Sequence, residues 1–122
     1  MTANDWRTYR PAANELDGRA IMITGATGGI GRAVARALVE HGASVILHGR
    51  KGKALQALFD ELAPLGPEPA LVEIDLERAQ GPAYQALIEA LEDRFGKLDG
   101  LLHNAGLLGQ LSPIEHYDIA QW

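Results

Sequence analysis

Four short apolar runs punctuate the chain, at residues 20–24, 44–48, 70–75 and 98–103, and each reads as a buried strand. Between them the apolar positions change to a helical period. Ile30, Ala33, Val34, Ala37, Leu38 and His41 fall on one face of the first such segment. Leu55, Leu58, Phe59 and Leu62 do so in the second, and Tyr84, Leu87, Ile88, Leu91 and Phe95 in the third. Gly42, Gly66 and Gly96 follow these segments where helix-terminating glycines usually sit. Short apolar strands alternating with helices predict right-handed βαβ units. The fold class is α/β, a doubly wound parallel sheet covered on both faces. Its ligand is expected at the carboxyl ends of the strands.

The two ends are less regular. Residues 1–17 read as a polar lead-in, with Pro11 barring a continuous helix. Near the other end, Ser112-Pro113-Ile114-Glu115 predicts a helix start, with Ser112 as N-cap, Pro113 in the first turn and Glu115 three residues on. The sequence stops at Trp122 with that helix barely begun. A sheet truncated after about four strands leaves its last strand as a bare edge, which folded proteins avoid. The expectation is a fragment, or a chain that needs a partner.

Composition removes several classes of function. With 122 residues the chain can form one compact domain, burying roughly two-thirds of its unfolded surface. The net charge of −5 comes without any stripe of lysine and arginine, which opposes a nucleic-acid surface. The absence of cysteine excludes disulfides, thiolate metal sites and a cysteine nucleophile. The apolar runs are far too short to span a membrane. Met1-Thr2-Ala3-Asn4-Asp5-Trp6-Arg7 lacks the apolar core of a signal peptide, so a cytoplasmic location is expected. His41, His48 and His116 show no metal-ligand spacing and read as ordinary polar positions.

The candidate chemistry gathers at the first strand–helix junction, Thr24-Gly25-Ala26-Thr27-Gly28-Gly29-Ile30-Gly31. Glycines let backbone approach phosphate oxygens, and the first N–H groups of the following helix point at the negative charge. Thr27 stands where G-x-G-x-x-G needs its second glycine, and the Gly-Lys-Ser/Thr ending of an ATPase loop is missing. Nucleoside-triphosphate hydrolysis is therefore not expected. The loop does fit Thr-Gly-x-x-x-Gly-x-Gly through Gly25, Gly29 and Gly31. The competing reading is a plain strand–helix turn that happens to be rich in glycine.

At this loop the sequence resembles the short-chain dehydrogenase/reductase family, and further matches follow in the family's order. Leu16-Asp17-Gly18-Arg19 leads into the first strand. Asp75-Leu76 closes the third strand, and His103-Asn104-Ala105-Gly106 closes the fourth, resembling the family's Asn-Asn-Ala-Gly signature. The stretch from Leu98-Asp99-Gly100 to Leu108-Gly109 is similar to the family's bacterial YciK-type members. The resemblance covers about residues 16–122 and implies the N-terminal, incomplete part of a Rossmann-type dinucleotide-binding domain over 18–122. Gly25, Gly28 and Gly31 also fit the loop of extended, epimerase-like members. Asn104-Ala105-Gly106 favours the shorter dehydrogenase type. His103 departs from the signature's first asparagine, although a neutral imidazole still offers one donor and one acceptor.

The resemblance implies a site. Gly25, Thr27, Gly28 and Ile30 would surround the pyrophosphate, with Gly29 and Gly31 completing the turn. Asp75 and Leu76 would flank adenine, and Asn104, Ala105 and Gly106 would line the ribose and nicotinamide side. Asp75 also reads as the anchor of the following turn, and the Asn104 amide as a tie between strands. Choice of cofactor turns on charge at the end of the second strand, Leu47-His48-Gly49-Arg50. Gly49 stands where an NAD-preferring aspartate would be, and Arg50 offers a planar fork suited to a phosphate. Lys51 and Lys53 add positive charge. The competing reading of Arg50 is a solvated residue at a strand end. NADP(H) is expected, with NAD as the alternative.

Family members transfer hydride between nicotinamide and a small carbonyl or alcohol, using a tyrosine, a lysine four residues later, a serine and a helix asparagine. Those positions normally lie beyond the last residue here. Tyr117 is followed four residues later by Gln121 rather than lysine, and a phenol near pKa 10 is a poor base without a cationic neighbour. Tyr117 reads as a packing or helix-surface residue and Ser112 as a cap, so no catalytic residue is assigned. The resemblance also implies a homo-oligomer. Two other readings stand beside the oxidoreductase: a non-catalytic nucleotide-binding or regulatory module, and an extended epimerase-type enzyme.

Overall fold

The computed structural model describes residues 5–121; residues 1–4 of the predicted lead-in and Trp122 lie outside the described residues. Four parallel strands form the sheet: β1 (Ala20–Ile23), β2 (Ser44–Gly49), β3 (Ala70–Glu73) and β4 (Gly100–Leu102). Their spatial order is β3-β2-β1-β4. Three helices connect them, α1 (Gly29–Glu40), α2 (Gly52–Leu62) and α3 (Gly81–Phe95). The chain moves outward from β1 to β3, then returns to place β4 on the other side of β1. That reversal opens a crevice at the carboxyl ends of β1 and β4, where open α/β sheets hold ligands. Among the described residues no helix is long and apolar enough to cross a membrane.

Alternation of side chains along the strands divides the core into two layers. Ile23, Val45 and Leu47 pack with Ala35 and Val39 of α1 and with Leu55, Leu58 and Leu62 of α2. Ala20, Met22, Ile46 and Ala70 face the other way, against Leu87, Leu91 and Phe95 of α3. The second layer is thinner because α3 alone covers it, and Tyr84 and Ile88 on the predicted face of α3 remain exposed. Among the described residues β4 pairs with β1 alone, leaving Leu101 47% exposed on the open edge that the four-strand pattern predicts.

Three local expectations are corrected. The inward face of α1 is Gly31, Ala35 and Val39, flanked by Val34 and Leu38, whereas Ile30, Ala33 and Ala37 are exposed. The smallest residue sits closest to the preceding turn, and that contact sets the rotation of α1 about its axis. Gly66 does not end a helix in a left-handed conformation: α2 stops at Leu62, a 3₁₀ turn spans Ala63–Leu65, and Gly66 is extended. Gly96 and Gly42 do have positive φ, at +71° and +94°. Finally, Ser112 caps nothing. Pro113 takes the N-cap position of a single 3₁₀ turn, Ile114–His116, with a second at Ile119–Gln121. Ile114 and Ile119 are both exposed, so the segment buries no apolar face that could extend a helix.

The described part of the lead-in forms turns and is tied down at Leu16, whose N–H donates to the His41 carbonyl at 2.9 Å. At the far edge of the sheet Asp99 brackets Ala20. Its N–H donates to the Ala20 carbonyl (2.8 Å) and its carboxylate accepts the Ala20 N–H (2.8 Å). That backbone bond foremost, with Lys97 and Arg19 beside it, holds the Asp99 carboxyl below the usual carboxylate range, against a smaller opposing effect of burial. As pH falls, Asp99 of the unfolded chain takes up its proton first, so the unfolded state binds more protons and stability drops. The loss is expected to begin in the usual carboxylate range and to finish below the lowered value of the folded state. Denaturant midpoints measured across that acid range are expected to fall less steeply in Asp99→Asn than in the parent.

Candidate functional site

The crevice at the switch point has a volume of about 590 Å³. Its lining includes Gly25, Thr27 and Gly28 from the turn after β1, Arg50 from the end of β2, Asp75 and Leu76 after β3, and Asn104, Ala105 and Gly106 after β4. Gly29, Ile30 and Gly31 of the expected set are not in the lining. Ile30 is 73% exposed on the outer side of the first helical turn, and Gly31 is packed beneath the turn. His48, Gly49, Glu77 and Leu107 complete the wall.

The turn is built for a close approach. Gly25 has φ +63°, and a Cβ there would lie 2.9 Å from the Ala105 Cα. Gly28 is the N-cap of α1, extended and without a side-chain cap, and no acidic residue follows in the first turn. Arg32 is the first N–H of α1 to find a carbonyl, that of Gly28 at 2.9 Å. The N–H groups of Gly29, Ile30 and Gly31 precede the first possible intrahelical bond and lack a backbone partner among the described residues. A Cβ at Gly29 would meet nothing within 4 Å, so the approach to these donors is open. An uncapped helix end with open space before it suits an anion with several oxygens.

Thr24 and Asn104 join the turn to the β4 end. The Thr24 hydroxyl accepts N–H bonds from Asn104 and Ala105, both at 3.0 Å, and donates to the Leu102 carbonyl at 3.3 Å. The Asn104 amide donates from Nδ2 to the Gly25 carbonyl at 3.0 Å, which makes it the strand tie the sequence offers as one of its readings. His103, in contrast, is exposed.

At the opposite end Arg50 is exposed, and among the described residues its guanidinium has no carboxylate partner. Gly49 beside it is buried, and a Cβ there would press on Leu55 at 3.2 Å. Asp75 lies on the crevice but also anchors its own turn: Oδ1 accepts the Glu77 N–H at 3.0 Å and Oδ2 lies 3.7 Å from Arg78 Nε. Tyr117 is half-buried and packs over Gly109, away from the crevice lining.

Two contributors have roles that motif spacing does not reveal: Thr24, which the motif includes without a role, and His48, which lies outside it. Thr24 is nearly buried, and its hydroxyl uses its full hydrogen-bonding capacity. His48 is 2% exposed and accepts the Gly25 N–H at Nδ1 (3.0 Å), while Nε2 lies 2.8 Å from the Ile74 carbonyl. Its signal in the sequence is a polar ring at the carboxyl end of a buried strand, the place where such sheets keep their ligand-facing residues.

A family model described as short chain dehydrogenase matches residues 19–122. The chain belongs to the short-chain dehydrogenase family. It is 35% identical over 115 residues to the uncharacterized oxidoreductase YciK of Escherichia coli K12, covering 93% of this chain and 46% of that protein. It is 34% identical over 102 residues to the NADP-dependent 3-hydroxy acid dehydrogenase YdfG of Salmonella typhi, covering 84% of this chain and 39% of that protein. Among solved structures, one from Escherichia coli CFT073, assigned to the short chain dehydrogenases and complexed with NADPH, superposes with a TM-score of 0.82 at 35% identity. That match covers 90% of this chain and 46% of the other. The chain thus spans less than half the length of these relatives. The family match favours the dehydrogenase reading over both the regulatory-module and the epimerase readings.

Proposed function

We propose that this chain supplies the NADP(H)-holding part of an oxidoreductase acting on a small carbonyl or alcohol. The observation that carries the choice of cofactor is Arg50, an arginine without a carboxylate partner among the described residues, on the rim of a crevice whose other end is the uncapped start of α1. The donor set fits a dinucleotide: N–H groups of the turn for the pyrophosphate, the Arg50 fork for an adenosine phosphate, and Asp75 and Leu76 beside the base. Asn104, Ala105 and Gly106 would bound the ribose and nicotinamide side. When bound, the cofactor gives or takes hydride. The residues described here hold and orient it, and none of them is assigned to proton transfer.

Support for NADP over NAD comes from the neutral, crowded Gly49, which leaves no carboxylate where a ribose hydroxyl would be received. The NADP dependence of YdfG and the NADPH complex of the Escherichia coli CFT073 protein support the same choice. Calorimetric titration tests it. NADPH is expected to bind more tightly than NADH, and Arg50→Ala to weaken NADPH about ten- to hundredfold, the worth of one charged hydrogen bond. NADH affinity should be unchanged by the substitution. Equal affinities in the parent, or tighter NADH, would refute the assignment.

A further inference from the structure

We propose that His48 positions the phosphate turn, by offering Nδ1 as the acceptor for the Gly25 N–H while the Ile74 carbonyl fixes its tautomer. The inference rests on the reading of the crevice as a dinucleotide site. An amide N–H can only donate, so Nδ1 must carry a lone pair to meet the Gly25 N–H at 3.0 Å. The proton of a neutral ring then sits on Nε2, where it is donated to the Ile74 carbonyl at 2.8 Å. The ring is 2% exposed, so water cannot readily take over either bond.

The backbone beside His48 repeats both links. Ala26 donates its N–H to the His48 carbonyl (2.9 Å), and Ile74 donates its N–H to the Gly49 carbonyl (3.1 Å). The backbone bond at Ala26 fixes where the turn lies. The imidazole bond one residue earlier fixes how the Thr24–Gly25 peptide is rotated, on the other side of the Gly25 Cα. Holding both peptides that flank the Gly25 Cα matters because the Gly25 carbonyl, in the second of them, accepts both the Asn104 Nδ2–H and the Gly28 N–H (3.3 Å), and Gly28 is the N-cap that aims the first N–H groups of α1. An apolar side chain at 48 would fill the buried space but leave the Gly25 N–H without its acceptor. His48 therefore acts through the turn, as a positioning residue without contact to reacting atoms.

The test contrasts two amides. His48→Asn keeps an acceptor close to the Nδ1 position, whereas His48→Gln keeps reach toward Ile74 and leaves the Gly25 N–H unmet. Three measurements on the full chain decide. Long-range ¹H–¹⁵N spectra of the parent should show a single neutral Nε2–H ring for His48; an Nδ1–H ring overturns the proposal. Exchange of the Gly25 amide should be about tenfold faster in His48→Gln than in the parent and near parental in His48→Asn, the effect of one hydrogen bond. NADPH titrations should follow the same order, with melting temperatures of the two variants close together. His48→Gln binding no more weakly than His48→Asn overturns the proposal. A parent that binds neither NADPH nor NADH removes the dinucleotide reading instead, and the spectra and exchange rates still decide whether His48 orients Gly25.

Discussion

Gly31→Ala is expected to lower stability by about 2 kcal/mol, the middle of the range for an overpacked position, and to weaken NADPH binding more than tenfold. A Cβ at Gly31 would lie 2.6 Å from the Gly25 carbonyl oxygen, 2.7 Å from Asn104 Nδ2 and 2.9 Å from the Ala26 Cα. Two of those neighbours are backbone atoms, which cannot swing aside as a flexible side chain would. The alanine must either push α1 back from the turn or part the Gly25–Asn104 hydrogen bond. Both outcomes disturb the first N–H groups of α1. Gly29→Ala is the matching control, since its Cβ meets nothing within 4 Å. In a helix alanine is favoured over glycine by about 0.5–1 kcal/mol, so Gly29→Ala should melt at or above the parent temperature. It should nevertheless bind NADPH less well, because the added methyl occupies open space before the turn. Thermal unfolding should place Gly31→Ala roughly 8 °C below the parent for a chain of this size. A parental melting temperature would show that α1 has room to adjust.

The contrast between these two glycines also marks how far the sequence alone reaches. Strands β1 to β4 were legible because a parallel sheet covered on both faces demands continuous apolar runs, and only the end residues differ. The glycine turn was legible because its spacing is local. The inward face of α1 was not: periodicity favours the bulky Ile30, while the contact that orients the helix is made by Gly31, which carries no hydrophobic signal. Ser112 has the residues of a helix start, but Ile114 and Ile119 are exposed among the described residues, and the segment forms short 3₁₀ turns. The role of His48 is hidden in the sequence for a related reason. Its role is defined by two backbone groups, 23 and 26 residues away, that come together only when β2 lies between β1 and β3. Asp75 and Asn104 both line the crevice, and each makes the anchoring bond that is one of its readings in the sequence, Asp75 to its own turn and Asn104 across to the Gly25 carbonyl.

Thr24→Val should separate the two halves of the crevice at a cost of about 1 kcal/mol, the net worth of one hydrogen bond. Valine keeps the shape of threonine and removes only the hydroxyl that receives the Asn104 and Ala105 N–H groups. Asn104 has a second acceptor in the Leu102 carbonyl, at 3.1 Å, so its N–H is not stranded. Ala105 has no second acceptor of this kind among the described residues, and its N–H would turn outward in search of water. Ala105 is also the residue packed over Gly25, so its movement opens the turn on the β4 side. NADPH affinity should therefore fall with stability in Thr24→Val, whereas Thr24→Ser, which keeps the hydroxyl, should retain most of the affinity and lose only the packing of one methyl. Denaturant unfolding and calorimetric titration of the two variants together distinguish the hydrogen bond from the methyl. If serine proves as damaging as valine, the packing of the methyl rather than the hydroxyl holds the Asn104–Ala105 segment against β1.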